Sequence, residues 1–198
     1  MKIYTGYGDT GMTRLVGGTR AKKNDSRVAA YGSIDTLNSQ VGYAASLLCD
    51  ETLKQELLFL QQKIFNCSSD FAVPDEIRPY KVTKEMIEWL ENRIDVYWEN
   101  LPRLSYFILP GGSQQAAAFH LCRCSARDAE RQAAALIDDG GTFNPEALRF
   151  LNRLSDYFFA LARWQNQRDG QPERIYEDSP PVFEKRNKYV SDPSENKE

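Results

Sequence analysis

The chain has 198 residues, of which 41% are hydrophobic and 27% are charged, and its formal net charge is −3. This length predicts one domain with a sizeable core, and the balanced charge excludes a disordered chain and nucleic-acid binding through bulk positive charge. The sequence has no apolar run near the roughly 18 residues of a membrane span and no apolar signal region at its start. We therefore expect a cytoplasmic protein that binds neither membranes nor nucleic acid.

Apolar residues recur every three or four positions along most of the chain, which is the spacing of a helix that buries one face. Asp25 is a good cap residue just before the first helical stretch. Ser113 opens the fourth stretch, and Asn144 followed by Pro145 opens the fifth. Short connections between such helices are typical of an all-α, up-and-down bundle. The pattern predicts five helices, over about 27–48, 51–72, 83–100, 113–138 and 145–167.

Two parts of the chain do not follow the helical pattern. Residues 1–26 are rich in glycine, hydroxyl groups and cations, and the segment from about residue 185 onward is polar. We predict a single helical-bundle domain over 1–184 that begins with a glycine-rich loop over 1–26. A flexible tail is expected over 185–198.

The N-terminal loop has residues suited to binding phosphate. Gly6, Gly8 and Gly11 match G-x-G-x-x-G, but only five residues precede Gly6 and no helical pattern follows, which excludes a dinucleotide fingerprint. Glycines nevertheless let several backbone N–H groups point at one anion. The residues themselves leave two interpretations open, a phosphate cradle and a flexible surface loop. Hydroxyl and cationic side chains near these glycines are Thr5, Thr10, Thr13, Arg14, Lys22 and Lys23.

A stripe of arginines follows one face of the predicted fourth helix. Arg123, Arg127 and Arg131 recur at four-residue spacing, three residues after His120. A solvated helix face is one interpretation of this pattern. The small and apolar residues around the stripe favour another, in which partly buried arginines bind a carboxylate or a polyphosphate. A polar seam on the fifth helix and an acid on the first add candidate partners, namely Arg149, Asn152, Arg153, Asp156 and Asp35.

Longer motifs resemble the PduO-type ATP:cob(I)alamin adenosyltransferases. The resemblance covers about residues 3–183 in the same order and rests on several multi-residue blocks. These are Ile3-Tyr4-Thr5 with Gly8-Asp9-x-Gly11-x-Thr13, Asp25-x-Arg27-Val28 with Asp35-x-Leu37-Asn38, Phe107 to Gly112, His120-x-x-Arg123, Arg127-x-Ala129-Glu130-Arg131, and Leu151 to Phe159.

The resemblance implies a five-helix, ferritin-like bundle assembled as a homotrimer with active sites between subunits. The implied reaction transfers the 5′-deoxyadenosyl group of ATP to cob(I)alamin and yields adenosylcobalamin and triphosphate. Magnesium on the ATP phosphates and a corrinoid reductase as partner are implied as well.

The same resemblance assigns residues to the ATP site. Arg127 and Asn152 match residues that hold ATP from the neighbouring subunit, and Glu130 and Arg131 belong to the same site. The loop residues resemble the cradle for the ATP phosphates, with Lys22 or Lys23 as contributors. The cradle consists of Thr5, Gly8, Asp9, Gly11 and Thr13.

Four positions are assigned to the corrinoid side of the site in the same way. Asp35 and Arg123 resemble an ion pair between subunits that shapes the cobalamin site. Phe107 matches an aromatic residue that displaces the lower axial ligand of cobalt, which makes reduction to cobalt(I) accessible. Phe183 resembles an aromatic residue near the C-terminus that closes over the corrin.

Three departures from the family pattern bear on ATP affinity. Gly6 stands at a usual lysine, Thr36 at a usual glutamate and Asp128 at a usual arginine. The changes at 6 and 128 make the anion site less positive. Two alternatives to an active enzyme therefore remain: a catalytically silent relative that binds and delivers cobalamin or adenosylcobalamin, and a helical interaction module without a ligand.

Overall fold

A computed structural model of the chain describes residues 2–4, 6–73 and 78–182. The five predicted helices are confirmed, and their ends differ from the predicted ones by at most two residues. None of the helices in these ranges is long and apolar enough to cross a membrane. In chain order the elements are β1 (Met12–Arg14), β2 (Arg20–Lys22), α1 (Ser26–Ser46), α2 (Glu51–Phe71), α3 (Lys84–Trp98), α4 (Gln114–Asp138) and α5 (Pro145–Arg168).

Helix α4 occupies the middle of the bundle. It packs most extensively against α5 and α1, while α2 packs on α1 and α3 packs on α5. Alanines on the buried side of α4, among them Ala118, Ala126 and Ala133, let the neighbouring helices approach closely. Large apolar side chains such as Leu37 on α1 and Phe158 on α5 fill the space around them and are fully buried. The arginine stripe of α4 therefore lies on a helix that is held from two sides.

The short strands β1 and β2 form an antiparallel hairpin in which Thr13 stands opposite Ala21. The sequence did not predict these strands, because three residues are too few to show the alternation of a strand. After β2, the backbone N–H of Lys23 donates to the carbonyl of Gly11 at 2.8 Å. The hairpin thus closes the glycine loop, and its strands contact each other more than they contact any helix.

Two extended segments run beside each other at one edge of the bundle, one before α4 and one after α5. Ile108 forms an antiparallel bridge with Ile175. The N–H of Val182 donates to the carbonyl of Ser105 at 2.8 Å. The segment 105–109 is thereby fixed in place by the segment 174–182. The tail predicted over 185–198 lies outside the described residues, and the single domain over 1–184 stays a prediction.

Candidate active site

A cavity of about 300 Å³ opens between α4, α5 and the segment 105–109. We call it the arginine cavity. One wall is apolar and aromatic, with Leu104, Tyr106, Phe107, Ile108, Pro110, Phe159 and Val182. The polar side chains come from α4 and α5, and they are His120, Arg123, Arg127, Ser155 and Asp156.

Phe107 presents an exposed aromatic ring on a fixed backbone. The side chain lines the arginine cavity, and the residue is 58% exposed. Its N–H donates to Oγ of Ser179, and its carbonyl accepts from the N–H of Tyr176, both at 2.8 Å. An aromatic ring held in this way can stack on a flat ligand without reordering the chain beneath it.

Arg123 and Arg127 lie one helical turn apart and both line the arginine cavity. Across residues 2–4, 6–73 and 78–182, no carboxylate lies within 4.0 Å of either guanidinium group. Arg123 donates only to Sγ of Cys124 at 3.4 Å, and its Nε is buried with no hydrogen-bond partner. Partly buried guanidinium groups need anions or acceptors nearby, so a ligand or a second subunit is required to satisfy them.

The third arginine of the stripe behaves differently. Arg131 forms an ion pair with Asp128 at 2.9 Å, and both side chains are at least half exposed. Neither residue lines the arginine cavity. Asp128, which departs from the family pattern, therefore has a structural partner, and it partly neutralises a predicted ATP ligand.

Glu130 and Asn152 form a direct contact between α4 and α5. Nδ2 of Asn152 donates to Oε1 of Glu130 at 2.7 Å, and Oδ1 of Asn152 accepts from Arg153 at 3.0 Å. Glu130, Asn152 and Arg153 line a second, shallower cavity of about 240 Å³. The predicted ATP residues of these helices thus divide between two neighbouring cavities, with Arg127 in the first and Glu130 and Asn152 in the second.

Two further polar residues of the arginine cavity were seen in the sequence but were given no role there. Burial raises the pKa of Asp156, and Arg153 opposes this by 3.8 Å proximity, followed by the repulsive charge of Glu130 and the attractive charge of Arg127. Burial, and then the charge of Arg123, lowers the pKa of His120 to about 4. Asp156 stands four residues after Asn152, and His120 three before Arg123, so their helical spacing was the signal that placed them at the site.

The glycine loop folds beneath Lys23. A Cβ on Gly8 would lie 3.0 Å from Nζ of Lys23, and Gly6 and Gly11 have φ values of 67° and 75° that favour glycine. Lys22 instead stands opposite Met12 in the hairpin. The structure thus brings a lysine ammonium group to the loop at Lys23.

The chain keeps the two parts of the predicted ATP site apart. Among the described residues of the loop, none lines either cavity of α4 and α5. Asp35 is exposed on α1, and its carboxylate is not within 4.0 Å of Arg123 in the same chain, although α1 and α4 pack together. Thr5 and Phe183, which were also predicted at the site, lie outside the described residues.

Comparison with known proteins shows the family. A family model described as cobalamin adenosyltransferase matches residues 3–165. The corrinoid adenosyltransferase of Bacillus subtilis is 47% identical over 191 residues, which cover 94% of this chain and 98% of the relative. The human corrinoid adenosyltransferase MMAB is 37% identical over 191 residues, which cover 92% of this chain and 76% of the relative.

Solved structures agree with the sequence comparison. A phenylalanine-to-histidine variant of a PduO-type ATP:corrinoid adenosyltransferase from Lactobacillus reuteri, complexed with cobalamin and ATP, is 45% identical with a TM-score of 0.88. The match covers 92% of this chain and all of that one. An arginine-to-lysine variant from the same organism, complexed with ATP, is 46% identical with a TM-score of 0.83, and the match covers 88% and 99% of the two chains. The chain belongs to the cobalamin adenosyltransferase family.

Proposed function

We propose that this corrinoid adenosyltransferase moves the 5′-deoxyadenosyl group of ATP onto cob(I)alamin and that it does so in a site shared by two subunits of a homotrimer. The observation that carries the proposal is the arginine cavity. It places the exposed ring of Phe107 opposite Arg123 and Arg127, whose guanidinium groups have no carboxylate partner among the described residues of their own chain. A similar enzyme from L. reuteri has been solved with both cobalamin and ATP.

The chemistry needs no nucleophile from the protein. The electron pair of cobalt(I) in the corrinoid attacks C5′ of ATP, the cobalt–carbon bond forms as the C5′–O bond breaks, and triphosphate leaves. Cobalt becomes formally cobalt(III), so the electrons balance without another reagent. The protein positions two large substrates and stabilises the charge of the leaving group.

In the proposed ATP site, Arg127, Glu130, Arg131 and Asn152 act from one subunit. The glycine loop, with Thr5, Gly8, Asp9, Gly11 and Thr13, acts from the next, and Lys22 or Lys23 adds positive charge. The separation of the loop from both α4–α5 cavities within one chain supports this arrangement. The position of Nζ of Lys23 near Gly8 favours Lys23 as the cation that compensates for glycine at position 6.

Magnesium belongs to the proposal as a counter-ion of ATP. Within the part of the chain that the structure describes, no group of three His, Cys, Asp or Glu residues is placed to hold a metal ion. The ion would therefore be held mainly by triphosphate oxygens, where it would neutralise charge on the leaving group.

In the proposed corrinoid site, Phe107 occupies the lower face of cobalt and Phe183 closes over the corrin. Arg123 pairs with Asp35 of the neighbouring subunit, which supplies the carboxylate that Arg123 lacks within its own chain. We further propose a cytoplasmic location and a corrinoid reductase that delivers the electron to cobalt.

An anaerobic assay tests the proposal. Chemically reduced cob(I)alamin is mixed with the protein and Mg-ATP, and the absorbance spectrum is followed for formation of adenosylcobalamin, with triphosphate measured in parallel. Equal yields of the two products are expected. Corrinoid binding without turnover would instead identify a silent carrier, and the lack of both binding and turnover would indicate an interaction module.

A further inference from the structure

His120 is a buried polar side chain that the reaction described above does not use. The residue is 5% exposed and lines the arginine cavity. Its Nδ1 is buried with no hydrogen-bond partner among the described residues. Polar atoms buried in this way are uncommon in native proteins, so the imidazole needs an explanation.

The environment of His120 sets its chemical form. Phe159 lies beside it, with ring centroids 6.2 Å apart. Burial and the positive charge of Arg123 lower the pKa of His120 to about 4, while Glu173 acts weakly in the opposite direction. Arg127 and Asp156 also line the cavity. At neutral pH the ring is therefore uncharged, with one N–H and one lone pair.

The unpartnered nitrogen indicates which tautomer is present. A buried N–H without an acceptor costs free energy, so the proton is best placed on the nitrogen that a partner can reach. Since Nδ1 is enclosed, Nε2 is the nitrogen left to meet a ligand in the cavity that the ring lines. His120 thus offers an uncharged donor among aromatic side chains. Such a donor suits a neutral carbonyl better than a polyphosphate, for which arginines are available.

We propose that Nε2–H of His120 donates a hydrogen bond to a carboxamide oxygen on the rim of the corrin, which makes His120 a corrinoid-binding residue. The inference rests on the proposed function, because it takes the corrinoid as the ligand of the arginine cavity. Corrin carries several carboxamide side chains, and an apolar cavity with one fixed donor selects the orientation of such a ring.

The first test uses the fact that the chain contains a single histidine. In ¹⁵N-labelled protein without a histidine tag, one imidazole gives one pair of ring nitrogen signals, whose chemical shifts report the tautomer. We expect a protonated Nε2 and an unprotonated Nδ1 from pH 6 to 8. A diamagnetic methyl cob(III)alamin, added as probe, should shift the Nε2–H signal, and ATP alone should not. An unchanged signal at saturating corrinoid, or an equal shift with ATP, would overturn the proposal.

The second test compares two substitutions. His120→Phe keeps an aromatic ring but removes both nitrogens, and His120→Gln keeps an N–H donor. Loss of one neutral hydrogen bond should weaken corrinoid binding by about fivefold in His120→Phe. We expect His120→Gln to restore most of that affinity and both variants to bind ATP as the wild type does. Equal corrinoid affinity in wild type and His120→Phe, or equal weakening in both variants, would contradict the proposal.

The wild-type controls separate this inference from the proposed function. If the wild-type protein forms adenosylcobalamin while His120→Phe binds corrinoid normally, only the role of His120 is wrong. If the wild-type protein binds no corrinoid, the proposed function itself fails. Should His120→Phe not fold, the nitrogen signals of the wild-type protein decide the matter alone.

Discussion

Asn152 donates a 2.7 Å hydrogen bond to Glu130, and this bond joins α5 to α4 within one turn of Arg127. The contact gives the carboxylate of Glu130 a neutral partner. Glu130 is therefore not paired with Arg127, whose guanidinium group has no carboxylate within 4.0 Å among the described residues. An arginine kept apart from nearby acids is available for an anionic ligand.

Replacing Arg127 with alanine should weaken ATP binding. Loss of one charge-assisted contact costs about 1.5–3 kcal/mol, or roughly 10- to 100-fold in affinity. Since no partner within the chain is lost, the free energy of unfolding should change by less than about 0.5 kcal/mol. Calorimetric titration with Mg-ATP and thermal unfolding measure the two effects. Lys54→Ala, which removes an exposed cation paired with Glu51 on α2, is the control and should leave ATP binding unchanged. An Arg127→Ala trimer with normal ATP affinity would contradict the assignment.

Phe107 should act on cobalt coordination and not on ATP. We expect Phe107→Ala to slow turnover from cob(II)alamin plus reductant by more than about tenfold, a barrier increase above about 1.4 kcal/mol. The physical reason is that cobalt(II) with its lower ligand in place is harder to reduce. With chemically prepared cob(I)alamin the loss should be smaller.

The control for Phe107 is Leu109→Ala. Leu109 lies on the same segment and is 49% exposed, but it does not line the arginine cavity. This variant should change neither rate. Equal losses in both assays for Phe107→Ala would mean that the ring only packs against the corrin.

Asp128 should lower the affinity for ATP through its pairing with Arg131. We expect Asp128→Arg to tighten ATP by about two- to fivefold, because exposed charges contribute about 0.2–1 kcal/mol. Asp128→Asn, which frees Arg131 without adding a charge, should give a smaller gain in the same direction. Titrations at low and high salt should show both gains shrinking as salt rises. Weaker ATP binding in both variants would show that Asp128 holds Arg131 in its binding position.

The sequence predicted the helices well because their apolar period is long and their caps are explicit. Ser113, for example, accepts a hydrogen bond from the N–H of Ala116, as expected of a residue that begins a helix. The pairing of Ile108 with Ile175 could not be predicted, because a single bridge between distant segments leaves no periodic pattern.

The candidate site was predicted in part for a similar reason. Arg123 and Arg127 share a helix face, so their spacing alone placed them together. The ion pair of Arg131 with Asp128 depends on side-chain conformations that spacing does not determine. Whether Asp35 meets Arg123 depends on contacts between chains, and these follow from no property of one sequence.

The last prediction concerns the pair that we place across the subunit interface. Asp35 is exposed on α1, and Arg123 lacks a carboxylate partner among the described residues of its own chain. Removing one member of a pair buried by assembly leaves an unpaired charge and typically costs about 3–5 kcal/mol. Asp35→Asn and Arg123→Ala should therefore each be nearly inactive alone.

Mixing the two inactive variants should restore activity. In a cyclic trimer that contains both variants, one of the three interfaces brings an intact Asp35 from one chain to an intact Arg123 from the next. Random assembly from equal amounts makes three quarters of the trimers mixed, so about one quarter of the wild-type activity should return. Native mass spectrometry measures the mixed fraction, and each variant refolded alone is the control. Mixed trimers as inactive as their parents would show that Asp35 and Arg123 do not act together across the interface.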